Sequence, residues 1–559
     1  PGNAPDFTAD PRRRARLNSF AKNWTRVAEE DPSDTSPGSA GIGWGAIVAA
    51  AALLALVLRL STLVLAGHLT GVFEYDDGSY FGTAVLLVHG HLPYRDFVYV
   101  QPPGLPLLLA PFAFLSNWIG TDHGLELARL LVPLVSTVNV VLLGLVLRRH
   151  SRLVVAVACL FIAVYPDDIL ASTALLLEPF LNFVCLLAVL AIFEGEHLTN
   201  SSRRVFWAGF ALGLGADIKL WAAFPALVLF LLLLPRPLRA ATLLGGAALG
   251  WLVPALPFLL LAPIAFWHQV VVDQAISSGV AALSPLTRLE FLTGVWPGLG
   301  VPKGHLYLLL AAAATLAIAL LALAAFATPL GGLAGRQPGT TATFRAKVSQ
   351  LELFALGATV VTCLGFMFPD DFFYHCAAFL GPFLALLLGL IAGRLARVRP
   401  GPVLAVVAAV AVLGVLHALA IPVLLQRSPT VGKEVAAVIP AGSCVVADDA
   451  EYTLTANRFL SSSPDCPHIV DALGVTIAIS GSVDPGSSQA RAADPTWLSY
   501  FRRADYVLLT PLSPTRIPWD SQLERYLELH FQVATETPVL ILRRLPTPAD
   551  QPQFHLLSS

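Results

Sequence analysis

The sequence predicts an α-helical polytopic membrane protein of about eleven transmembrane helices, with interfacial helices in its first outer loop and a small C-terminal α/β extracytoplasmic domain. Three observations predict it. First, 56% of the 559 residues are hydrophobic and only 13% are charged, where soluble proteins carry about 25% charged residues, and the mean hydropathy is +0.70. So little charge cannot cover a water-soluble surface of this size, so lipid is part of the solvent. Second, apolar runs of membrane-crossing length recur from Trp44 to Leu425. Third, beyond Gln426 short amphipathic and β-type stretches replace them.

Residues 1–43 are polar, with Arg12, Arg13, Arg14 and Arg16 ahead of a Pro/Ser/Gly-rich stretch from Asp31 to Gly43. They read as a flexible cytoplasmic tail, too long and polar, and without a cleavage signature, for the front of a signal peptide. The transmembrane domain is expected over 44–425. Its candidate spans are 44–68, 126–147, 153–168, 171–193, 204–215, 217–234, 239–262, 305–327, 351–367, 371–391 and 402–425. A crossing takes about 20 residues, so 204–215 is the weak one: tilted, broken, or fused with its neighbour.

Basic residues fall unevenly between the connecting loops. One set holds Arg148, Arg149 and Arg152; Arg203 and Arg204; Arg236 and Arg239; Arg336, Arg345 and Lys347; and Arg394, Arg397 and Arg399. The opposite set holds only Arg95, Lys219, Arg288 and Lys303. The rich side matches the arginine cluster ahead of the first span, which places the N-terminus in the cytoplasm. Eleven crossings then put the C-terminus outside the cell membrane.

Three segments are thus expected outside. The first, 69–125, contains moderately apolar pieces at 80–90 and 104–118; a crossing by either would break the charge alternation, so both are expected in the interface plane. The second, 263–304, carries Trp267, His268, Asp273, Arg288 and Lys303. The third, 426–559, holds an amphipathic stretch Gly432–Ile439, a β-type run SCVVA, a helix-like QLERYLELHF and a strand-like VLILRR. Within it, Cys444 and Cys466 can pair as a disulfide in an exported domain. Cys159, Cys185 and Cys363 sit in apolar runs as core residues, and no CxxC pair supports a zinc or redox motif. A net charge of −2 argues against nucleic acid as a partner.

The most informative stretch is FEYDDGSYFGTAVLLVHGHLPYRDFVYVQPPG, residues 73–104. Glu74, Asp76 and Asp77 follow the first span at the outer interface. Their plainer reading is as solvated loop acids. Acids at a membrane-helix mouth can also act as a general base or hold a divalent cation. The next helix, with Tyr80, Phe81, Ala84 and Leu87 at helical spacing, anchors them. The order DDGSY, helix, GHLPYRDF, then a PP pair opening an apolar helix resembles the GT-C superfamily of membrane glycosyltransferases. That superfamily includes protein O-mannosyltransferases, lipid A aminoarabinose transferases and the arabinofuranosyl- and mannosyltransferases of actinobacteria. The likeness covers 44–425 in architecture and 73–104 in motif. ELARLLVPLVSTVNVVLLGLVLRR, entering with Arg129, resembles the second core helix.

The resemblance implies that Asp76 is the general base and Asp77 its partner, with a divalent cation (Mg, Mn or Ca) on the pair as an option. It implies a polyprenyl-phosphate sugar as donor and an envelope glycan, glycolipid or protein as acceptor. Transfer is expected to be inverting and to proceed on the outer face of the membrane. Departing phosphate needs cationic partners, and the candidates are Lys219, Arg95, Arg288 and Lys303. The aminoarabinose and O-mannosyl branches carry a basic residue before the PP pair, whereas this chain has Gln101. An amide orients a hydroxyl but cannot neutralise phosphate, which shifts weight to Lys219 and the 263–304 loop. Glu74, Tyr80, Gln101, Glu178, Asp370, Asp371, Tyr374 and His375 are the expected substrate contacts. High Ala, Leu, Arg and Pro usage with one Met suits a GC-rich genome such as an actinobacterium's, which favours arabinofuranose or mannose and a cell-wall acceptor.

Each residue has a plainer alternative. A charge within a membrane helix costs about 2.5–3.5 kcal/mol on insertion scales, so Glu178 and Lys219 pair with something, and bundle stability alone would explain them. His375 can be a satisfied interfacial histidine, and Asp167 and Asp168 helix caps. A transporter or flippase of lipid-linked sugars is the rival class. It would show internal repeats and midplane charges, whereas these acids gather on one face. An O-antigen-ligase-like transferase would carry an arginine-rich late outer loop, but 263–304 has one Arg and one Lys. An inactive structural relative would have no need of Asp76 and Asp77.

Overall fold

Apolar runs become helices wherever proline permits. The computed structural model describes residues 43–276, 283–295, 305–327, 348–367, 372–536 and 539–546. Trp44–Leu65 (α1) is followed by the outer-loop helices Tyr75–Val88 (α2) and Gly104–Ile119 (α3). Then come Thr121–Leu147 (α4), Arg152–Val164 (α5), the short Pro166–Leu170 (α6) and Leu177–Ile192 (α7). A small antiparallel pair, Phe193–Glu194 (β1) and His197–Leu198 (β2), precedes Ser202–Ala216 (α8), Ala223–Leu233 (α9) and Pro237–Leu261 (α10). Pro263–Trp267 (α11), Asp273–Ile276 (α12) and Pro285–Thr293 (α13) lie in the next outer segment. His305–Ala327 (α14), Gln350–Met367 (α15), Gly381–Val398 (α16) and Pro400–Leu424 (α17) complete the bundle.

Among the described residues seven helices are long and apolar enough to cross a membrane: α1, α4, α10, α14, α15, α16 and α17. Shorter apolar helices include α3, α5, α7 and Leu220–Leu233. The chain is a multi-pass membrane protein. α14 and α17 are only 11% buried over their apolar windows, so they face lipid, whereas α16 is 72% buried at the centre. Buried ion pairs stitch the bundle: Arg394 Nε meets Glu352 Oε1 at 2.5 Å between α16 and α15, and Arg59 of α1 pairs with Asp168 of α6. Ser136 of α4 donates to that same carboxylate at 2.9 Å.

Each of the eleven apolar runs yields a helix, and several differ from expectation in where they begin, end or break. The run expected over 153–168 stops at Val164 because Pro166 lies two residues on, and Asp167 and Asp168 open the short α6 instead. The run expected from 171 becomes helical only at Leu177. The weak span at 204–215 is a separate helix, about 22 Å long at 1.5 Å per residue, broken from the next at Asp217–Lys219. The run expected from 371 becomes α-helical only at Gly381, after a 3-10 turn over Tyr374–Phe379.

Two packing contacts position the site. Gly209 and Gly213 of α8 face Gly246 and Gly250 of α10. A Cβ at Gly213 would lie 2.1 Å from the carbonyl oxygen of Ala247, and one at Gly250 2.1 Å from that of Phe210. The two backbones therefore touch, as small-residue repeats allow in membranes. The second contact covers the first outer loop. α2 is buried at every residue from Asp77 to Leu86. It is roofed by Ala450–Thr455 of the C-terminal region, where a Cβ at Gly78 would meet Glu451 N at 2.6 Å.

The C-terminal α/β domain supplies that roof. Gly432–Val438 (α18) leads to strand Val445–Ala447 (β3), and Ala450–Thr455 (α19), Ala472–Ser480 (α20) and Asp494–Arg503 (α21) cross to Tyr506–Leu509 (β4). Ser521–His530 (α22), Phe531–Thr535 (β5) and Leu540–Arg544 (β6) follow. The sheet order is β3-β4-β6-β5. β3 and β4 run parallel with Val446 opposite Val507, and β6 runs antiparallel to both neighbours with Leu542 opposite Val507 and Val533. Trp497, Phe501, Leu523 and Phe531 fill the space beneath the sheet. Cys444 and Cys466 are joined as a disulfide across 5.4 Å between Cα atoms.

Candidate active site

α2 begins at Glu74, which sits at the N-cap in extended conformation, with Asp76 and Asp77 in the first turn. Acids suit a helix N-terminus, where unpaired N–H groups carry partial positive charge. Consecutive helical residues point about 100° apart, so the two aspartates enter different surroundings. Asp77 turns inward and is buried. Its Oδ2 accepts from Arg129 Nε of α4 at 2.6 Å, and its Oδ1 accepts from the Leu175 backbone N–H at 2.5 Å. Arg129 also donates to the carbonyls of Leu69 (3.1 Å) and Gly71 (2.9 Å) and to the carboxylate of Glu451 on α19. Glu451 in turn accepts from the Phe73 N–H at 3.0 and 3.1 Å. A single buried network therefore joins α2, α4 and the C-terminal domain.

Asp76 keeps partial access to solvent. Tyr80, one turn on, donates to its Oδ2 at 3.0 Å. Tyr374 of the 3-10 turn donates to Glu74 Oε2 at 2.8 Å. Glu178, in the first turn of α7, is fully buried and meets Lys219 Nζ at 3.0 Å and His375 Nδ1 at 3.0 Å. The lysine contact is a hydrogen bond; the histidine contact is off the hydrogen-bonding direction and is electrostatic. Lys219 also sits 3.6 Å over the Trp221 ring. Both cations lie within electrostatic reach of Asp76.

Although both acids keep some exposed surface, protein surrounds them closely enough to raise their pKa values. Loss of hydration pushes Glu74 up to about 7, reinforced by the negative charge of Asp76 and opposed by His375 and the Tyr374 hydroxyl. Asp76 is raised chiefly by the same desolvation, with His375 and Lys219 acting against it. From the C-terminal domain, Asp471 accepts from the Tyr75 hydroxyl at 2.7 Å. Arg516 lies 4.1 Å over the Tyr75 ring and pairs with Asp448 (3.2 Å) and Asp449 (3.1 Å).

No family model matches the sequence, and no curated protein matches it. Among solved structures the chain is similar to ArnT from Cupriavidus metallidurans in its apo state. The TM-score is 0.57 at 14% identity, covering 88% of this chain and 97% of that one. The chain has the GT-C fold. The same ArnT bound to undecaprenyl phosphate gives a TM-score of 0.55 at 14% identity, over 89% of this chain and 98% of that one. An oligosaccharyltransferase of Archaeoglobus fulgidus, tethered to an acceptor peptide, is a more distant likeness at 0.45 and 13% identity, over 83% of this chain and 68% of that one.

Within this GT-C fold, Glu74, Asp76, Tyr80, Glu178, Lys219, Tyr374 and His375 come together from four separate stretches of sequence. The other expected residues are placed elsewhere. Arg95 forms a two-point pair with Asp96 at the surface, at 2.8 Å through both contacts. Arg288 is buried, donating to the carbonyls of Leu283 (2.9 Å) and Phe366 (2.8 Å). Gln101 receives the Tyr94 hydroxyl on its backbone carbonyl at 2.7 Å, and its side-chain oxygen is buried. Lys303, Asp370 and Asp371 lie outside the described residues.

Asp76 and Asp77 do not fit a shared cation. Both Asp77 oxygens are committed to Arg129 and Leu175, and the helical twist turns Asp76 away. Among the described residues no group of three or more His, Cys, Asp or Glu is disposed to hold a metal ion. Glu451, Asp471 and Arg516 are the members that sequence reasoning missed. The acids of ADDAEYTLTANRF and DCPHIVDALG are visible in the sequence, yet nothing in their spacing points to a partner some 320 to 400 residues earlier.

Proposed function

We propose that this protein is a glycosyltransferase that moves a sugar from a polyprenyl-phosphate donor to an acceptor hydroxyl at the outer face of the membrane. The observation that carries this reading is the division of labour between the paired aspartates: Asp77 is locked by Arg129, and Asp76 stays accessible beside Lys219 and His375. The ArnT structure with undecaprenyl phosphate has the same fold and supports a lipid phosphate as one substrate.

In the proposed reaction the acceptor hydroxyl attacks the anomeric carbon. Its proton passes to Asp76, the new C–O bond forms, and the bond from that carbon to the phosphate oxygen breaks with inversion. The phosphate leaves with the electron pair and an added negative charge, so it needs no acid. Lys219 is the cation suited to meet that charge. A raised Asp76 pKa makes the carboxylate a stronger base than an ordinary aspartate. Tyr80 aims it, and Glu178 holds Lys219 and His375 within electrostatic reach of it. No step is routed through a metal ion.

Arabinofuranose or mannose is the favoured sugar, and an envelope glycan, glycolipid or protein the acceptor. The arginine-rich loops support a cytoplasmic N-terminus and a C-terminal domain outside. The test is transfer of label from a panel of polyprenyl-phosphate sugars to envelope glycan by the purified protein in lipid. Transfer from one donor, lost in Asp76→Asn, supports the reading; transfer that survives Asp76→Asn removes Asp76 as the base.

A further inference from the structure

A cavity of about 380 Å³ lies at the other end of α2, between its C-terminus and the C-terminal domain. It falls within the range of small-ligand sites, roughly 300–1,000 Å³. Asp76 and His89 are separated by about 20 Å along the helix, at 1.5 Å per residue, so this space is separate from the acidic cluster. His89 and His91 come from the HGH turn that follows α2, and His468 and Ser461 from the loop near the Cys444–Cys466 disulfide. Leu86 and Phe459 form apolar wall. The HGH turn belongs to the motif of residues 73–104, yet the proposed chemistry gives it no role.

The lining has a definite chemistry. No Asp, Glu, Lys or Arg is among the described residues that line the cavity, and Asp96 is the acid within electrostatic reach of its His91 and His468; the lining itself therefore offers a charged ligand no direct ion pair with a carboxylate, ammonium or guanidinium group. His89 Nδ1 lies 2.7 Å from the Val85 carbonyl. A carbonyl only accepts, so Nδ1 carries a proton, and in the neutral ring Nε2 is an acceptor. His91 and His468 sit with ring centroids 4.0 Å apart. Burial, with the neighbouring His91, lowers the pKa of His468, which favours its neutral ring, and a neutral ring offers both a donor and an acceptor. Alternating donors and acceptors beside apolar wall match the hydroxyls and C–H faces of a sugar.

We propose that this cavity binds a neutral sugar segment of an extended glycan acceptor, remote from the reacting end. The inference rests on the glycosyltransferase reading and deepens it: an acceptor that reaches both sites is an oligomeric or polymeric glycan, since they are about 20 Å apart. Asp76 would act on the terminal hydroxyl while the histidine-lined cavity holds the chain behind it.

The test is a calorimetric titration of the full-length Asp76→Asn protein in lipid nanodiscs with linear oligosaccharides of arabinofuranose and of mannose. Because this variant needs no donor and no turnover, the result does not depend on the proposed reaction. His468→Ala, which removes a polar group, and Ser461→Phe, which fills the space, are each added. Saturable binding, weakened about tenfold by either change at an unaltered unfolding midpoint, is expected from the loss of one or two hydrogen bonds. No binding by either oligosaccharide, or binding indifferent to both changes, overturns the site. Tighter binding of a uronic-acid oligosaccharide overturns its assignment to neutral sugar. In the active protein His468→Ala is expected to raise KM for a long acceptor with kcat unchanged, and to leave a monosaccharide acceptor unaffected. A loss of transfer from every donor in the wild type would instead sink the glycosyltransferase reading and leave the titration to decide the site.

Discussion

Arg129 Nε stands 2.6 Å from Asp77 Oδ2, with both side chains about 1% exposed. The neighbouring Asp76 has no such partner and faces Tyr80 instead. The pair of acids therefore separates into one that holds the fold and one that the proposed reaction uses.

Asp76→Asn and Asp77→Asn should consequently fail in different ways. Asp76→Asn is expected to keep the wild-type unfolding midpoint and to lose transfer by about 10²–10⁴-fold, the usual yield of a general base. Asp77→Asn leaves the Arg129 charge buried with one carboxylate fewer, a change that costs about 3–5 kcal/mol in buried pairs. Thermal unfolding in detergent alongside transfer assays separates the two. Equal midpoints for both variants would contradict the structural role given to Asp77.

Glu451→Gln approaches the same network from the C-terminal domain. It keeps the shape but removes the second carboxylate facing Arg129 and weakens the acceptor of the Phe73 N–H. Faster hydrogen exchange in residues 69–77 is expected, together with reduced kcat. Unchanged exchange there would mean that the roof does not hold the first outer loop.

Lys219 is tied to Glu178 at 3.0 Å and serves the departing phosphate in the proposed reaction. Lys219→Met should lower kcat by about 10²–10³-fold, the loss seen when one preorganised charge stabiliser is removed. Lys219→Arg should restore part of it. If Lys219→Met lowers stability but leaves kcat intact, the lysine is a partner of Glu178 only.

Glu74 gives a pH signature. Burial lifts its carboxyl from 4.5 to about 7, so the folded state favours the protonated form. That contribution to stability is complete below about pH 4.5 and is lost as pH rises through about 7. Glu74→Gln should therefore show a flatter midpoint between those limits and a higher midpoint than wild type above pH 7. Parallel curves in unfolding scans would show that Glu74 titrates normally.

The helices were legible because burial in lipid demands unbroken apolar runs, and proline marks several of their ends. The boundary at Gly381 was not. FFYHCAAFLG is apolar enough to be counted into a span, and hydropathy does not tell a 3-10 turn from an α-helix. The motif of residues 73–104 brought Asp76 and Asp77 to notice, but their separate duties depend on which one faces Arg129, a fact of helix phase and tertiary packing. Lys219 was legible as a charge in an apolar setting. Glu451, Asp471 and Arg516 were not, because an acid or arginine in a polar domain is ordinary until its partner is known. The roof over α2 was hidden for the same reason.

The glycine contact between α8 and α10 also bears on the distant lysine. With backbones touching at Gly213 and Ala247, α8 has no freedom to slide or lift away from its neighbour. The helix therefore works as a fixed post, and the break at Asp217–Lys219 is its top. A methyl group at Gly213 would wedge the post outward and carry Lys219 with it, away from Glu178. Loss of transfer in Gly213→Ala, with every charged residue intact, would be the readout. The height and bearing of a single ammonium group are thus set by the absence of side chains two turns below it.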